Sequence, residues 1–432
     1  MSLLFRNTNI LDVVGGQVLS GQDLLIEGDR IRALEATGRG LEAHQVIEGE
    51  DLLLSPGFIN AHTHLGMSYF RNYADDMDLD TWLNEAIWPM EAHLDGEDIY
   101  WGSLLSLAEA LRSGTTCFCD MYYEMDRVGE GAQEIGIRGL LTRGLTSGPD
   151  EEAKLEEVRD LYARYHKSAQ GRIRVAPAPH AIYTCSEDFL KKTFDLARDL
   201  DGLIHIHTSE TKKELEDSRA AHEGRTPINY LLDLGMGDLH TLAAHCVYMT
   251  EEEMDRVDKD KFFPLYNPSS NLKLASGFAP LKAMLDKGLS PALGTDGDSS
   301  NNNQDMLEEI HLAALVNKAL NQDPKALPAI EVLRMATING ARALAWEDEI
   351  GSLDVGKKAD ITVFDLNSPN FTPRNNLISA LCYSASSEDV KDVLVDGDFV
   401  LRNRKLVKVD LDLIRKRVAE RMEALKKKAG QA

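Results

Sequence analysis

Residues 56–67 read PGFINAHTHLGM. A Pro-Gly pair, which favours a turn, opens a short apolar run that ends in two histidines one residue apart, His62 and His64. On a strand, residues i and i+2 face the same side. A strand over 58–64 therefore sends both imidazoles the same way, near enough to share one metal ion. The plain alternative is two histidines packed beside a turn, and only further ligands decide between them. The same stretch marks a change of texture in the chain. Before it, LLFRNTNILD and GGQVLSGQDLLIEGDRIRALE read as short strands joined by Gly-containing turns. After it, helical patterns alternate with apolar strand-like runs. DIYWGSLLSLAEALRSG precedes TTCFCDMY, LEEVRDLYARYHKSA precedes RIRVAPAPH, and SEDFLKKTFDLARDL precedes LIHIHTSE. LHTLAAHC, FFPLYNPSS and SPALGTD continue the series. Such alternation predicts a parallel sheet. About eight strands over roughly 300 residues suit a (β/α)8 barrel.

Near residue 351 the texture reverts. GSLDVGKKADITVFDL and DVKDVLVDGDFVLRNRKLV read as strands and a hairpin with an Asp-Gly turn. Two separate small β modules would each have a meagre core. The expectation is therefore an α/β chain: a (β/α)8 TIM barrel over 56–350, and a small β-sandwich domain built from both termini. Its first part is 1–55 and its second 351–432, which includes a terminal helix. The Lys/Arg-rich stretch 414–428 has helical spacing and reads as a solvated helix.

The chain has 432 residues, 43% of them apolar, enough for a sizeable core. No run of eighteen or more apolar residues appears, so no membrane span is expected. The first residues lack a basic, then apolar, then small-residue leader pattern. Five scattered cysteines, 117, 119, 185, 246 and 382, suit reduced thiols and a cytoplasmic location. The formal charge of −24 repels nucleic acid and anionic lipid. A small-molecule substrate is the remaining class of partner.

In a barrel, chemistry sits where strands end. His62 and His64 end FINAHTH, and His180 follows IRVAPAP. His207 ends LIHIH with Glu210 three residues on, His245 ends TLAAH, and Asp296 ends SPALGTD. Three imidazoles and a carboxylate make a reasonable set for zinc or ferrous iron. The ligands expected are His62, His64, His207 and Asp296. His205 has the same i, i+2 relation to His207; His207 is preferred because it lies nearer the strand end. The plain alternatives are a core histidine for His245 and a helix cap for Asp296. Asp298, Asn301, Asn302 and Asn303 read as a loop that caps the next helix. Asp75, Asp76, Asp78 and Asp80 read as a solvated loop. Trp88 and Trp101 read as packing, and 66–92 as a lid.

Taken together, PGFINAHTH, SGTT, HIHTSE, AAHC, GTDG and GSLDVGKKADITVFD resemble the amidohydrolase superfamily, in its cytosolic aminohydrolase branch. The likeness runs over nearly the whole chain. Within the branch, GTDG…SNNN…DM, MATINGARALA and TRGL look most like the 5′-methylthioadenosine/S-adenosylhomocysteine deaminases. The resemblance implies one divalent metal per subunit, zinc or else ferrous iron, on His62, His64, His207 and Asp296. It implies that Glu210 shuttles a proton and that His245 orients the hydrolytic water. It implies substrate contacts from Trp82, Glu91, Arg143, His180 and Glu210. Relatives with two metals carry a bridging lysine after the fourth strand, and RIRVAPAPHAIYT has none. Members often self-associate, so a homo-oligomer is an expectation of the resemblance alone.

The implied reaction is hydrolytic deamination of the adenine ring at C6, releasing ammonia. Asp296 and His245 both stand open as the base. Some relatives place a second arginine about a dozen residues after that of TRGL, where it meets the amino-acid tail of S-adenosylhomocysteine. Here GPDEEAKLEEVR carries Lys154 and Leu155, and lysine lacks the bidentate fork. Methylthioadenosine, adenosine and 5′-deoxyadenosine are then comparable candidates. The alternatives are another heterocycle (guanine-type, pterin or triazine) and a barrel scaffold without activity. The H-x-E with P-C-x-x-C pattern of other zinc deaminases is absent.

Overall fold

The computed structural model describes residues 2–430; positions 1, 431 and 432, at the outer bounds of the first and last predicted segments, lie outside the described residues. Strands β1 (Ser2–Asp12), β2 (Gln17–Glu27), β3 (Arg30–Ala36), β4 (Gln45–Glu48) and β5 (Leu52–Pro56) come first. They are followed by β6 (Phe58–Thr63), β7 (Thr115–Tyr122), β8 (Arg138–Leu145) and β9 (Ile173–Pro179). Next come β10 (Leu203–Thr208), β11 (His240–His245), β12 (Phe262–Tyr266) and the short β13 (Ala292–Leu293). The chain closes with β14 (Ile361–Asp365), β15 (Val390–Val395), β16 (Asp398–Arg402) and β17 (Lys405–Leu406).

Strands from both ends of the chain share one sheet, in the order β17-β16-β15-β14-β5-β1-β2-β3, with β4 paired to β1. The join is β5 against β14, antiparallel, with Pro56 opposite Ile361. The Asp-Gly turn lies between β15 and β16. Asp396 and Gly397 both take positive φ, 51° and 78°, as a two-residue hairpin turn of this kind requires.

The middle strands form two parallel four-stranded sheets, β6-β7-β8-β9 and β10-β11-β12-β13. Every residue of β6, β7 and β10 is buried, as expected where helices cover one face and packed side chains the other. Backbone bonds link the two sheets on both flanks: His207 N–H to His180 O at 3.0 Å, and Asp296 N–H to His62 O at 2.9 Å. Long amphipathic helices such as Gly96–Arg112 and Glu187–Asp199 connect successive strands. The mixed α/β content agrees with the expected class.

Two expectations need correction. The terminal helix, Leu411–Lys428, is not simply solvated: Ile414 and Leu425 are buried, and Arg421 pairs with Asp95, which caps the helix Gly96–Arg112, and with Asp98 in its first turn. The helix Met306–Asn321 is capped by Asp305, whose side chain accepts from Leu307 N–H. Asp298 is instead wholly buried, accepting from Ser106 Oγ at 2.7 Å and facing Arg71 at 3.2 Å. Asp75, Asp76, Asp78 and Asp80 are exposed, as a solvated loop requires; within it Asp78 caps the turn Leu79–Thr81, and Asp75 pairs with Lys273. No helix among the described residues is long and apolar enough to cross a membrane.

Candidate active site

His62 lies in β6, His64 just beyond its end, His207 in β10 and His245 at the end of β11; Asp296 follows β13. Because the strands run parallel, their ends bring all five side chains to one place. Ligand atoms of His62, His64 and His207 lie within 4.8 Å of one another, as do those of His62, His245 and Asp296. Asp296 Oδ1 is 3.2 Å from His64 Nε2 and 3.4 Å from His62 Nε2. His207 Nε2 is 3.3 Å from His64 Nε2.

The remaining ring nitrogens are occupied. His64 Nδ1 meets the Met121 carbonyl, and His207 Nδ1 donates to the His180 carbonyl at 2.9 Å. His62 Nδ1 meets His205 Nε2 at 3.0 Å. That places His205 behind the cluster rather than in it. A ring whose one nitrogen is fixed presents the other as a ligand of defined tautomer. The fit to a cation is carried by His62 Nε2, which is buried and has no hydrogen-bond partner. Three converging imidazole nitrogens and a carboxylate oxygen supply the donors a divalent metal takes.

The electrostatics of the cluster reflect burial first. Burial holds His62 down to about 4. Burial also opposes charge on His64, but the Asp296 carboxylate outweighs it and lifts the ring to about 9. Burial lowers His180 to about 3, helped by the neighbouring imidazoles. Burial resists ionisation of Asp296, but the two imidazoles beside it prevail and hold it well below the usual carboxylate range. Ser270 Oγ at 2.6 Å and Ser300 Oγ at 3.0 Å donate to its Oδ2.

Glu210 stands at the edge of this cluster, buried, with Oε2 3.7 Å from His245 Nε2. Burial and the nearby Asp296 raise its carboxyl to about 8. His245 Nδ1 accepts from Asn271 Nδ2 at 3.0 Å and Asn267 Nδ2 at 3.3 Å. Those bonds put the ring proton on Nε2, which points at Glu210.

A cavity of about 550 Å³ opens from these residues. It is lined by Trp82, Glu91, Arg143, His180 and Glu210, so the sequence-predicted contacts converge on it. Glu91 is buried and accepts from Tyr122 Oη; burial raises its carboxyl above the ordinary value. Arg143 is already engaged, donating to Glu157 Oε2 from Nε at 3.0 Å and Nη2 at 2.8 Å. Lys154 also lines the cavity and donates to the Thr146 carbonyl at 2.8 Å. Trp88, expected only to pack, is 38% exposed and lines the same cavity. The segment over the cavity is helical, with a wide turn in which Trp88 N–H bonds Leu83 O five residues back. Such wide turns are frequent at functional sites.

Sequence reasoning missed Asn267, Ser270 and Asn271. All three follow β12 in YNPSSN. The signal that found Asp296, a polar cluster closing an apolar strand, applies to them equally. His205, which fixes the tautomer of His62, was visible in the sequence but its role was not.

Comparisons with known proteins place the chain in a family. The amidohydrolase family model matches residues 53–400. A 5-methylthioadenosine/S-adenosylhomocysteine deaminase of Thermoanaerobacter pseudethanolicus is 50% identical over 98% of this chain and 99% of its own. One of the same name from Syntrophomonas wolfei is 42% identical over 95% and 96%. The crystal structure of an adenosine deaminase from Xanthomonas campestris with bound zinc superposes with a TM-score of 0.95, at 32% identity and 98% of each chain. An atrazine chlorohydrolase structure from Arthrobacter aurescens, at 24% identity and a TM-score of 0.89 over 98% of this chain and 99% of that one, shares the fold. With a family match across most of its length and relatives at half identity over nearly all of it, this chain belongs to the amidohydrolase family.

Proposed function

We propose that this protein deaminates adenosine-type nucleosides by hydrolysis at C6 of the adenine ring, releasing ammonia and the inosine-type product. The observation that carries the reading is Glu210: a buried carboxyl that keeps its proton to about pH 8, between the His/Asp cluster and a nucleoside-sized cavity. The deaminases at 50% identity support the same reaction. His62, His64, His207 and Asp296 would hold one divalent ion per subunit, zinc by analogy with the zinc-bound neighbour. Held there, such an ion supplies Lewis acidity that makes a water-derived nucleophile available at neutral pH.

The chain's own residues do the rest. Glu210 gives its proton to ring N1 as C6 becomes tetrahedral. The incoming water's proton goes to Asp296. His245 does not take it, because the Asn267 and Asn271 amides occupy Nδ1 and leave Nε2 as a donor. His245 instead orients the water through that N–H. Glu210 then takes the proton of the new C6 hydroxyl and passes it to the exocyclic amine; the C6–N bond breaks, ammonia leaves as the C6 carbonyl forms, and the proton on Asp296 restores Glu210. Glu91 is placed to accept from ribose hydroxyls, and Trp82 and His180 to frame the nucleoside. With Arg143 bound to Glu157 and only Lys154 beside it, the mouth of the cavity suits methylthioadenosine, adenosine or 5′-deoxyadenosine as well as S-adenosylhomocysteine.

The two parallel sheets are read as the halves of one (β/α)8 barrel over 56–350. The terminal sheet is read as a small β-sandwich domain from 1–55 and 351–432. The five free, buried cysteines support a cytoplasmic location. The deciding experiment is ammonia release by zinc-loaded protein from methylthioadenosine, S-adenosylhomocysteine, adenosine, 5′-deoxyadenosine, guanine and a chlorotriazine. Turnover of the adenosines, lost in Glu210→Gln, supports the reading. Metal-loaded protein that turns over guanine or the triazine but no adenosine overturns it.

A further inference from the structure

Glu214 has no part in the chemistry above, yet it is buried within the same loop system. It sits near the start of the helix Lys212–Ala221, which Thr211 caps: the Thr211 hydroxyl accepts from Glu214 N–H at 3.1 Å. In the usual reciprocal cap, the carboxylate three residues into the helix returns to the N–H of the capping residue. Glu214 reaches further back. Its Oε1 accepts from Ser209 N–H at 3.1 Å and its Oε2 from Glu210 N–H at 2.7 Å. Both carboxylate oxygens are thus spent on two successive backbone donors that precede the helix.

Those two residues form an awkward turn. Ser209 has φ of +53°, a region a side chain with a Cβ adopts at a cost and keeps only when its surroundings impose it. Its carbonyl is held from the other side by Tyr248 N–H at 2.8 Å. Beyond the turn, the Glu210 side chain is held only lightly, by Ser276 Oγ at 3.4 Å and the His245 ring at 3.7 Å. Its direction is set mainly by the backbone that carries it.

We propose that Glu214 is a positioning residue: a bidentate clasp on the Ser209–Glu210 backbone that aims the Glu210 carboxyl into the site. The proposal deepens the reading of Glu210 as proton carrier and rests on it. Glu214 is not among the residues that line the cavity Glu210 faces; it lines a neighbouring one. It acts through Glu210 alone, so its effect on turnover should vanish when Glu210 is already disabled.

The test compares zinc-loaded wild type with Glu214→Ala, Glu214→Gln, Thr211→Ala, Glu210→Gln and Glu210→Gln/Glu214→Ala. Three quantities are read: kcat and KM for methylthioadenosine, deuterium uptake of the peptide spanning 209–210, and zinc content. Glu214→Ala should lower kcat on the order of 10²-fold, the lower end of what a misdirected general acid forfeits, with KM and zinc content little changed. Its uptake at 209–210 should quicken about tenfold or more, as a local opening does. Glu214→Gln keeps one acceptor and should fall between; it decides by the same readouts if the alanine variant does not fold. Thr211→Ala removes the helix cap alone and should leave kcat and the 209–210 uptake near wild type. The double variant should be no slower than Glu210→Gln. Unchanged uptake in both Glu214 variants overturns the proposal. So does equal quickening in Thr211→Ala, or a further loss in the double variant as large as that in the wild-type background. If wild type turns over no adenosine, the functional reading fails, and the uptake still decides the clasp.

Discussion

A histidine becomes a dependable ligand when its other nitrogen is spoken for, and three rings here meet that condition. Met121 O, His180 O and His205 hold the far nitrogens of His64, His207 and His62. Replacing His64 or His207 by alanine should therefore remove bound metal. The expected zinc content is below about a tenth of wild type by atomic emission, since losing even a partner that orients a ligand costs about 10–100-fold in affinity. Glu210→Gln should behave differently, keeping its metal while kcat drops roughly 10²–10⁴-fold; retained activity would remove Glu210 from the mechanism. The spacing His-x-His already named two of the proposed ligands in the sequence. The choice of His207 over His205 was legible only as nearness to a strand end. What separates them physically is the partner: His205 Nδ1 faces Thr142 Oγ1 at 3.0 Å and its Nε2 faces His62, contacts between distant strands.

At the scale of elements, the parallel strands were legible because each is a short apolar run bounded by helical sequence, and β6, β10 and β11 end at or beside a histidine. The loops after them were less so. Asp298, Asn301, Asn302 and Asn303 all offer capping chemistry, and the sequence gives no reason to pass over them for Asp305. Asp305 does the capping because it alone stands in extended backbone immediately before Met306, accepting from Leu307 N–H at 2.9 Å. Asp305→Ala should lower the stability of the protein by about 1 kcal/mol, read from the denaturant midpoint. Asn303 supports that cap, accepting from Asp305 N–H at 2.9 Å and donating to Glu308 Oε2 at 2.7 Å, so Asn303→Ala should lower the midpoint too, by a smaller amount of about 0.5 kcal/mol. The terminal helix carries the same lesson. Its basic residues suggested solvent, but Arg421 finds Asp95 and Asp98 some three hundred positions earlier in the chain.

Across the whole molecule, Arg138 ties the parallel sheet to the terminal one. It is almost fully buried, with Asp360 at 2.8 Å and Asp396 at 2.6 Å. Arg138→Met leaves those carboxylates buried without their main cation. It should cost about 3–5 kcal/mol, seen as a fall in the unfolding midpoint. Buried carboxyls also set a pH dependence. Burial raises Glu309, which accepts from Ser269 N–H and Asn301 Nδ2, from 4.5 to about 8. Between those values the folded state binds a proton that the unfolded state does not. Its contribution is complete below about 4.5 and is lost as pH rises through about 8. Glu309→Gln should therefore gain on wild type as pH increases. Denaturant midpoints of the two proteins at about pH 5.5 and about pH 8.5 measure it, and a constant difference would show that Glu309 does not titrate there.

The sequence by itself determined the class of the fold, the strand ends and the chemical types gathered there. Periodicity and spacing are local properties, and the HTH, HIH and GTD stretches carry them openly. It did not determine which carboxylate serves which purpose. Glu210 and Glu214 lie four residues apart in one stretch, and nothing local says that one faces the cavity while the other turns back to hold its backbone. Nor did it say that Arg143 would be occupied by Glu157, or that Asn267 and Asn271 would fix the proton of His245. Those outcomes depend on which donor meets which acceptor once strands distant in the chain are packed side by side and water is excluded, and only the tertiary structure makes that pairing.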